Sequence, residues 1–107
     1  MATINLTGAS GTKYDFGVHD LDGSFHAVAG VYTVTERYET ARGRHKHTVI
    51  YFGQTSDLGD RFDDHHKADC FAVHNANSLC FHADDDEQSR LAKENDLIEA
   101  HYSPCNN

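Results

Sequence analysis

Glu94 stands inside an apolar pattern, where a carboxylate is out of place. Leu91, Leu97, Ile98 and Tyr102 recur near it at helical spacing, and this spacing predicts the buried face of a helix. A buried carboxylate without a partner costs several kcal/mol or takes up a proton, so Glu94 requires a divalent cation or an arginine beside it. The alternative is a glutamate at the edge of the stripe with its carboxylate in water.

Arg61 and His65 form a second pattern, because residues four apart project from the same face of a predicted helix. A guanidinium binds two phosphate oxygens through its planar fork, and an imidazole donates or accepts a proton at a reacting oxygen. The pair is consistent with phosphoester chemistry. A solvated helix face carrying Arg and His has the same pattern.

Five elements that occur in order connect these residues: Gly30-Val31-Tyr32, Tyr51-Phe52-Gly53, Arg61 with His65, Glu94-Asn95-Asp96-Leu97-Ile98, and Pro104-Cys105-Asn106. This series, from about residue 29 to residue 107, resembles the GIY-YIG nuclease superfamily. Val31 and Phe52 replace the isoleucines of the signature with other apolar residues, so the strand geometry is expected to be kept.

The resemblance implies a metal-dependent endonuclease that hydrolyses phosphodiester bonds, in DNA more than in RNA. Glu94 would ligate a single Mg²⁺ or Mn²⁺, and Arg61 would stabilise the charge of the transition state. Three side chains would position and deprotonate the attacking water, namely Tyr32, Tyr51 and His65.

Substrate contacts are expected from the locally basic segment 42–47 and from two residues of the resemblance. The five residues are Arg42, Arg44, Lys46, Gln54 and Asn106. Gln54 stands where some relatives carry Lys, which removes a positive charge near the phosphate. The formal net charge of −8 opposes unaided binding to a polyanion. A single catalytic domain with no appended DNA-reading domain is expected to have low sequence specificity, and a homodimer or a protein partner would supply that specificity.

The elements that must position these residues can be read from hydrophobic spacing. Alternation predicts strands over 2–7 and 13–18, and β-branched and aromatic residues predict a strand over 28–37; strands are also predicted over 48–53 and 78–82. Helical spacing after N-cap candidates predicts a helix over 57–68. An acidic cluster suited to a helix N-terminus opens a predicted helix over 85–102, which Pro104 stops. The order indicates an α+β fold with a small central antiparallel sheet flanked by helices. One domain over 1–107 is expected, with 1–27 as an added N-terminal hairpin and 28–107 as the catalytic core.

Location and cysteine chemistry follow from composition. No apolar run approaches the roughly 20 residues that cross a bilayer, and residues 1–10 lack the features of a secretory signal, so a cytoplasmic protein without membrane contact is expected. Cys70, Cys80 and Cys105 form no CxxC pair and are expected to be free thiols.

Two other functions fit parts of the pattern. A non-catalytic domain of the same fold that binds nucleic acid or protein is favoured by the acidic charge and by Gln54, and opposed by the joint presence of Tyr32, Arg61 and Glu94. A zinc protein is suggested by Cys70-x₃-His74 and Cys80-x-His82, although these spacings are irregular for a structural zinc site.

Overall fold

The computed structural model describes residues 2–63 and 67–106. The strands are β1 (Thr3–Thr7), β2 (Lys13–Asp20), β3 (Gly30–Glu39), β4 (His45–Thr55) and β5 (Ser78–Ala83). The helices are α1 (Leu58–Asp63), α2 (Ala68–Val73), α3 (Glu87–Ala100) and a final 3₁₀ turn, η1 (Pro104–Asn106). The chain is therefore an α+β domain, and each of the five predicted strands is present.

All five strands join one antiparallel sheet in the order β1-β2-β5-β3-β4. β5, the last strand in the sequence, lies between β2 and β3. The N-terminal hairpin is thereby hydrogen-bonded into the sheet and contributes the fully buried Phe16 to the core. The pairing of β3 with β4 shifts register between Val34 and Thr35, and β4 forms one edge of the sheet.

The two faces of the sheet carry separate apolar clusters, because successive strand residues point to opposite sides. Tyr32 and Val34 lie in a cluster with Leu58 of α1 and Phe71 of α2. On the other side, a cluster around Val31, Phe52 and Phe16 packs against Leu97 of α3. The tyrosines of the two signature tripeptides thus share a layer with α1 and α2.

The first helical region departs from the prediction. One helix over 57–68 was expected, whereas α1 ends at Asp63 and a second helix, α2, begins at Ala68. No helix over 68–73 was predicted, since its short sequence ADCFAV places only Phe71 in the core and has no clear helical stripe. Helices this short depend on tertiary packing more than on propensity.

The buried face of α3 also differs from the predicted one. Leu97 has no exposed surface, but Leu91 is 41% exposed, and Tyr102 lies beyond the helix and is 79% exposed. The buried residues of α3 are Arg90 and Leu97, seven positions apart. The predicted stripe was wrong at both ends: Arg90 is buried in place of the neighbouring Leu91, and α3 ends at Ala100, before Tyr102.

Asp96 ties the N-terminal hairpin to α3. Its carboxylate accepts hydrogen bonds from the Ser10 backbone and hydroxyl and from the Tyr14 hydroxyl, at 2.7–2.8 Å. These bonds lower the pKa of Asp96, chiefly through the Tyr14 hydroxyl.

Within residues 2–63 and 67–106, no helix has the length and apolar character needed to cross a bilayer.

The expectation of three free thiols was wrong for two of them. Cys70 of α2 and Cys105 of η1 form a disulfide, with their Cα atoms 6.0 Å apart and a sequence separation of 35 residues. Cys80 is buried as a free thiol, and burial raises its pKa to about 11. The pairing depends on how the C-terminal turn folds back on α2, which cysteine spacing does not reveal.

Candidate active site

Tyr32 of β3 and Tyr51 of β4 are brought together by the antiparallel pairing of their strands. The partner of Tyr32 across the ladder is Gly53, and Tyr51 is paired with Val34. The two rings have centroids 6.0 Å apart. The Tyr32 hydroxyl is hydrogen-bonded to the Tyr51 hydroxyl. Phe71 of α2 packs on the Tyr51 ring, with the two ring centroids 5.5 Å apart.

The glycines of the two tripeptides make room for aromatic rings. A Cβ on Gly53 would overlap Cζ and Oη of Tyr32, so the Tyr32 ring lies directly over Gly53. Gly30 has the same relation to the ring of Phe81 and to the carbonyl of His82. The absence of a side chain at position 53 therefore directs the Tyr32 phenol across β4.

A substitution at Gly53 tests this packing. Gly53→Ala is expected to destabilise the fold by about 1–3 kcal/mol, because the added methyl must displace a buried ring. Urea unfolding followed by tyrosine fluorescence measures the change. Gly17→Ala in β2 is the matched control, since a Cβ there meets its nearest atoms at ordinary contact distances of 3.6 and 3.9 Å. Equal stabilities for the two variants would contradict the packing role of Gly53.

Glu94 reaches the free edge of the sheet from α3. The backbone N–H of Gln54 donates a hydrogen bond to its carboxylate. Since β4 is an edge strand, this N–H has no strand partner on that side. Glu94 is partly buried, and the carboxylate is held at the end of β4 that carries Tyr51 and Gly53.

Arg61 is positioned by the start of α1. Asp57 accepts from the backbone N–H of Asp60 at 3.0 Å, and the N–H of Leu58 donates to Val28 at 2.9 Å. These bonds fix the first turn of α1 against the segment that precedes β3. Arg61 remains partly exposed and close enough to influence the protonation of Tyr32, Tyr51 and Glu94.

Burial and the charge of Arg61 act in opposite directions on the pKa values of Glu94, Tyr32 and Tyr51. Burial raises the pKa of Glu94, while Arg61 and the Gln54 N–H oppose that shift. Burial also raises the pKa of Tyr32 and of Tyr51, with Arg61 again acting in the opposite direction. Both phenols are therefore neutral near pH 7 and act as hydrogen-bonding groups.

The structure brings together four of the predicted catalytic residues, Tyr32, Tyr51, Arg61 and Glu94. Tyr32 has no exposed surface, however. The predicted contact between Tyr32 and the attacking water is therefore not available in this conformation, and the partly exposed groups are the other three. His65 lies outside the described residues.

Two predicted substrate-binding residues make hydrogen bonds inside the protein instead. The Gln54 side-chain oxygen accepts from Arg90 Nε at 3.0 Å. Asn106 accepts from the Phe52 N–H at 2.8 Å and donates to the Phe52 carbonyl at 2.9 Å. Both amides thus organise the edge of β4, a role that their spacing in sequence did not indicate.

The basic segment 42–47 lies away from the candidate site formed by Tyr32, Tyr51, Arg61 and Glu94. Arg42 and Arg44 are exposed in the turn between β3 and β4, and Lys46 is exposed near the start of β4. Lys46 precedes Gln54 by eight residues in β4, which is about 26 Å along a strand. These three cations are therefore remote from Glu94.

Arg90 is a residue of the site region that the sequence pattern did not reveal. It is only 5% exposed and precedes Glu94 by one helical turn. Besides Gln54, it donates to the Asp84 carbonyl at 3.3 Å. Its position seven residues before the buried Leu97 was the available signal, but a charged residue is rarely assigned to a buried face.

The donor set at Glu94 fits a hard divalent cation that keeps most of its own ligands. Within the described residues, Glu94 belongs to no cluster of three or more His, Cys, Asp or Glu side chains. Mg²⁺ commonly binds through one or two carboxylates, with waters and substrate phosphate completing its shell. One partly buried carboxylate is consistent with that mode of binding.

Comparison of the chain with protein families, with curated proteins and with solved structures finds no match in any of the three.

Proposed function

We propose that the protein is a metal-dependent endonuclease of the GIY-YIG type, cutting phosphodiester bonds in DNA. The observation that supports this function is the convergence of Tyr32, Tyr51, Arg61 and Glu94. They come from two strands and two helices separated in sequence, and this set unites a cation-binding carboxylate, a phosphate-binding guanidinium and hydroxyl donors. A purely structural role does not require all of these groups together.

Arg61 binds the scissile phosphate. Its planar donors face the two non-bridging oxygens and stabilise the charge that builds on them in the transition state. Because Arg61 is partly exposed, a phosphate can reach it from solvent. The Tyr51 hydroxyl, half-buried and held by the Tyr32 hydroxyl, orients the attacking water beside that phosphate.

Tyr32 is a positioning residue in this proposal. Its ring is fixed over Gly53 and its hydroxyl holds that of Tyr51. Glu94 holds the Mg²⁺ or Mn²⁺, which when bound supplies Lewis-acid stabilisation of the phosphate and the leaving oxygen. The Gln54 N–H keeps the Glu94 carboxylate in place for that purpose.

A plasmid-nicking assay tests the activity. Purified protein with supercoiled DNA is expected to produce nicked and linear forms with Mg²⁺ or Mn²⁺ and none with a chelator present. Branched and nicked duplexes and single-stranded RNA extend the substrate range. Absence of cleavage on every substrate with either cation would contradict the nuclease proposal.

A non-catalytic binding domain is the second candidate, favoured by the net charge of −8 and the engaged Gln54 side chain. Such a protein would shift the mobility of DNA or retain a protein partner without cutting in any metal. The nicking assay, run beside a binding assay on the same DNA, separates the two functions.

A further inference from the structure

Three metal-ligating side chains meet on the sheet face that carries α2. The sulfurs of Cys70 and Cys105 and a ring nitrogen of His74 all lie within 4.8 Å of one another. Cys70 and His74 are four residues apart across the end of α2, and Cys105 comes from η1. The group thus joins two elements that are distant in sequence.

The other cysteine and histidine pair in the sequence does not form such a group. Cys80 is buried in the opposite cluster. The His82 ring is bonded to the Asp15 carbonyl and to Lys93, each at 2.9 Å. A cation beside the imidazole and a thiol with a raised pKa both oppose metal binding.

The geometry at Cys70, His74 and Cys105 is close to that of a zinc site. Zn–S and Zn–N bonds of about 2.3 and 2.0–2.1 Å place tetrahedral ligand atoms roughly 3.5–3.8 Å apart. Thiolates and imidazole also bind zinc in preference to hard cations such as Mg²⁺. Small side-chain rotations would bring the three atoms to these separations once the sulfurs are no longer bonded to each other.

We propose that reduction of the Cys70–Cys105 disulfide creates a zinc site formed by Cys70, His74 and Cys105. A dithiol reductant transfers two electrons and two protons to the two sulfurs and is itself oxidised to a disulfide. Zinc binding then displaces the two thiol protons to solvent. Three protein ligands leave a fourth position for water. This site is separate from Glu94 and takes a softer metal.

A zinc ion at this site would connect two elements of the fold. His74 and Pro104, the neighbour of Cys105, line a surface cavity. Phe71, next to Cys70, packs on Tyr51, and Asn106, next to Cys105, binds the backbone of Phe52. Either the disulfide or the zinc ion would fasten α2 to η1 beside these contacts, so the connection survives reducing conditions.

Cobalt titration tests the proposal without reference to nuclease activity. Reduced wild-type protein with Co²⁺ is expected to develop the near-ultraviolet thiolate-to-cobalt charge-transfer band at one equivalent, and Zn²⁺ should then bleach it. Native mass spectrometry should show one zinc bound with the loss of two protons. Absence of the band in reduced protein would overturn the site.

Three samples serve as controls. Disulfide-bonded wild type, which keeps the native fold, should show no band, and reduced Cys80→Ser should match reduced wild type. His74→Ala should lower the affinity by more than about tenfold, since loss of even a residue that only supports a ligand typically costs about 10–100-fold. A band in the oxidised protein, its loss in Cys80→Ser, or unchanged affinity in His74→Ala would each overturn the proposed ligand set.

Discussion

Glu94→Gln is expected to reduce the rate of plasmid nicking on the order of 10²–10³-fold, because the variant removes the charge that holds the cation. The amide oxygen of glutamine can still accept the hydrogen bond that Gln54 donates to Glu94. The edge of β4 should therefore stay intact. Initial nicking rates at several Mg²⁺ concentrations measure the effect, and part of the loss should be recovered at high Mg²⁺.

Glu99→Gln is the matched control for this variant. Glu99 is exposed on the same helix, so its substitution makes the same change in net charge. It should leave the nicking rate close to that of the wild type. An unaffected Glu94→Gln enzyme, or an equal loss in both variants, would remove Glu94 from the proposed site. Urea unfolding of each variant shows whether the fold is retained.

Arg61→Ala is expected to lower the single-turnover rate on the order of 10²–10³-fold, through loss of a preorganised partner for the phosphate. Arg61→Lys should recover only a small part, since an ammonium lacks the planar fork that binds two oxygens. Rates at saturating protein separate the chemical step from DNA binding.

Arg42→Ala tests the distinction between the candidate site and the basic turn. Arg42 is exposed between β3 and β4, remote from Glu94 along the strand. Its removal should weaken DNA binding and lessen the dependence of binding on salt. The single-turnover rate at saturating protein should stay close to the wild-type value. A large drop in that rate for Arg42→Ala, with little change for Arg61→Ala, would reverse the assignment of the phosphate-binding cation.

Much of the local structure could be predicted from short-range patterns. Alternating apolar residues indicated β1 and β2, and β-branched and aromatic residues indicated β3; the predicted strands over 48–53 and 78–82 are present as β4 and β5. The N-cap candidates before Leu58 and the acidic cluster around Glu87 indicated where α1 and α3 begin within a residue or two. These signals are local because backbone geometry and side-chain spacing act over a few residues.

The choice of candidate site residues came from the resemblance to the GIY-YIG pattern, which places Tyr32, Tyr51, Arg61 and Glu94 in one site. The resemblance did not reveal how exposed each of the four side chains is. Tyr32 proved to be fully buried, with its ring over Gly53. Its role therefore changes from a proposed contact with water to the positioning of Tyr51.

The remaining features were decided by tertiary structure. The insertion of β5 between β2 and β3, the burial of Arg90 beside Gln54 and the bond between Cys70 and Cys105 each join segments far apart in the chain. No local pattern encodes such contacts, because the free energy that selects them comes from packing the whole domain. Residue types and local spacing indicate which side chains are chemically reactive, whereas packing of the whole chain sets which of them are exposed to solvent.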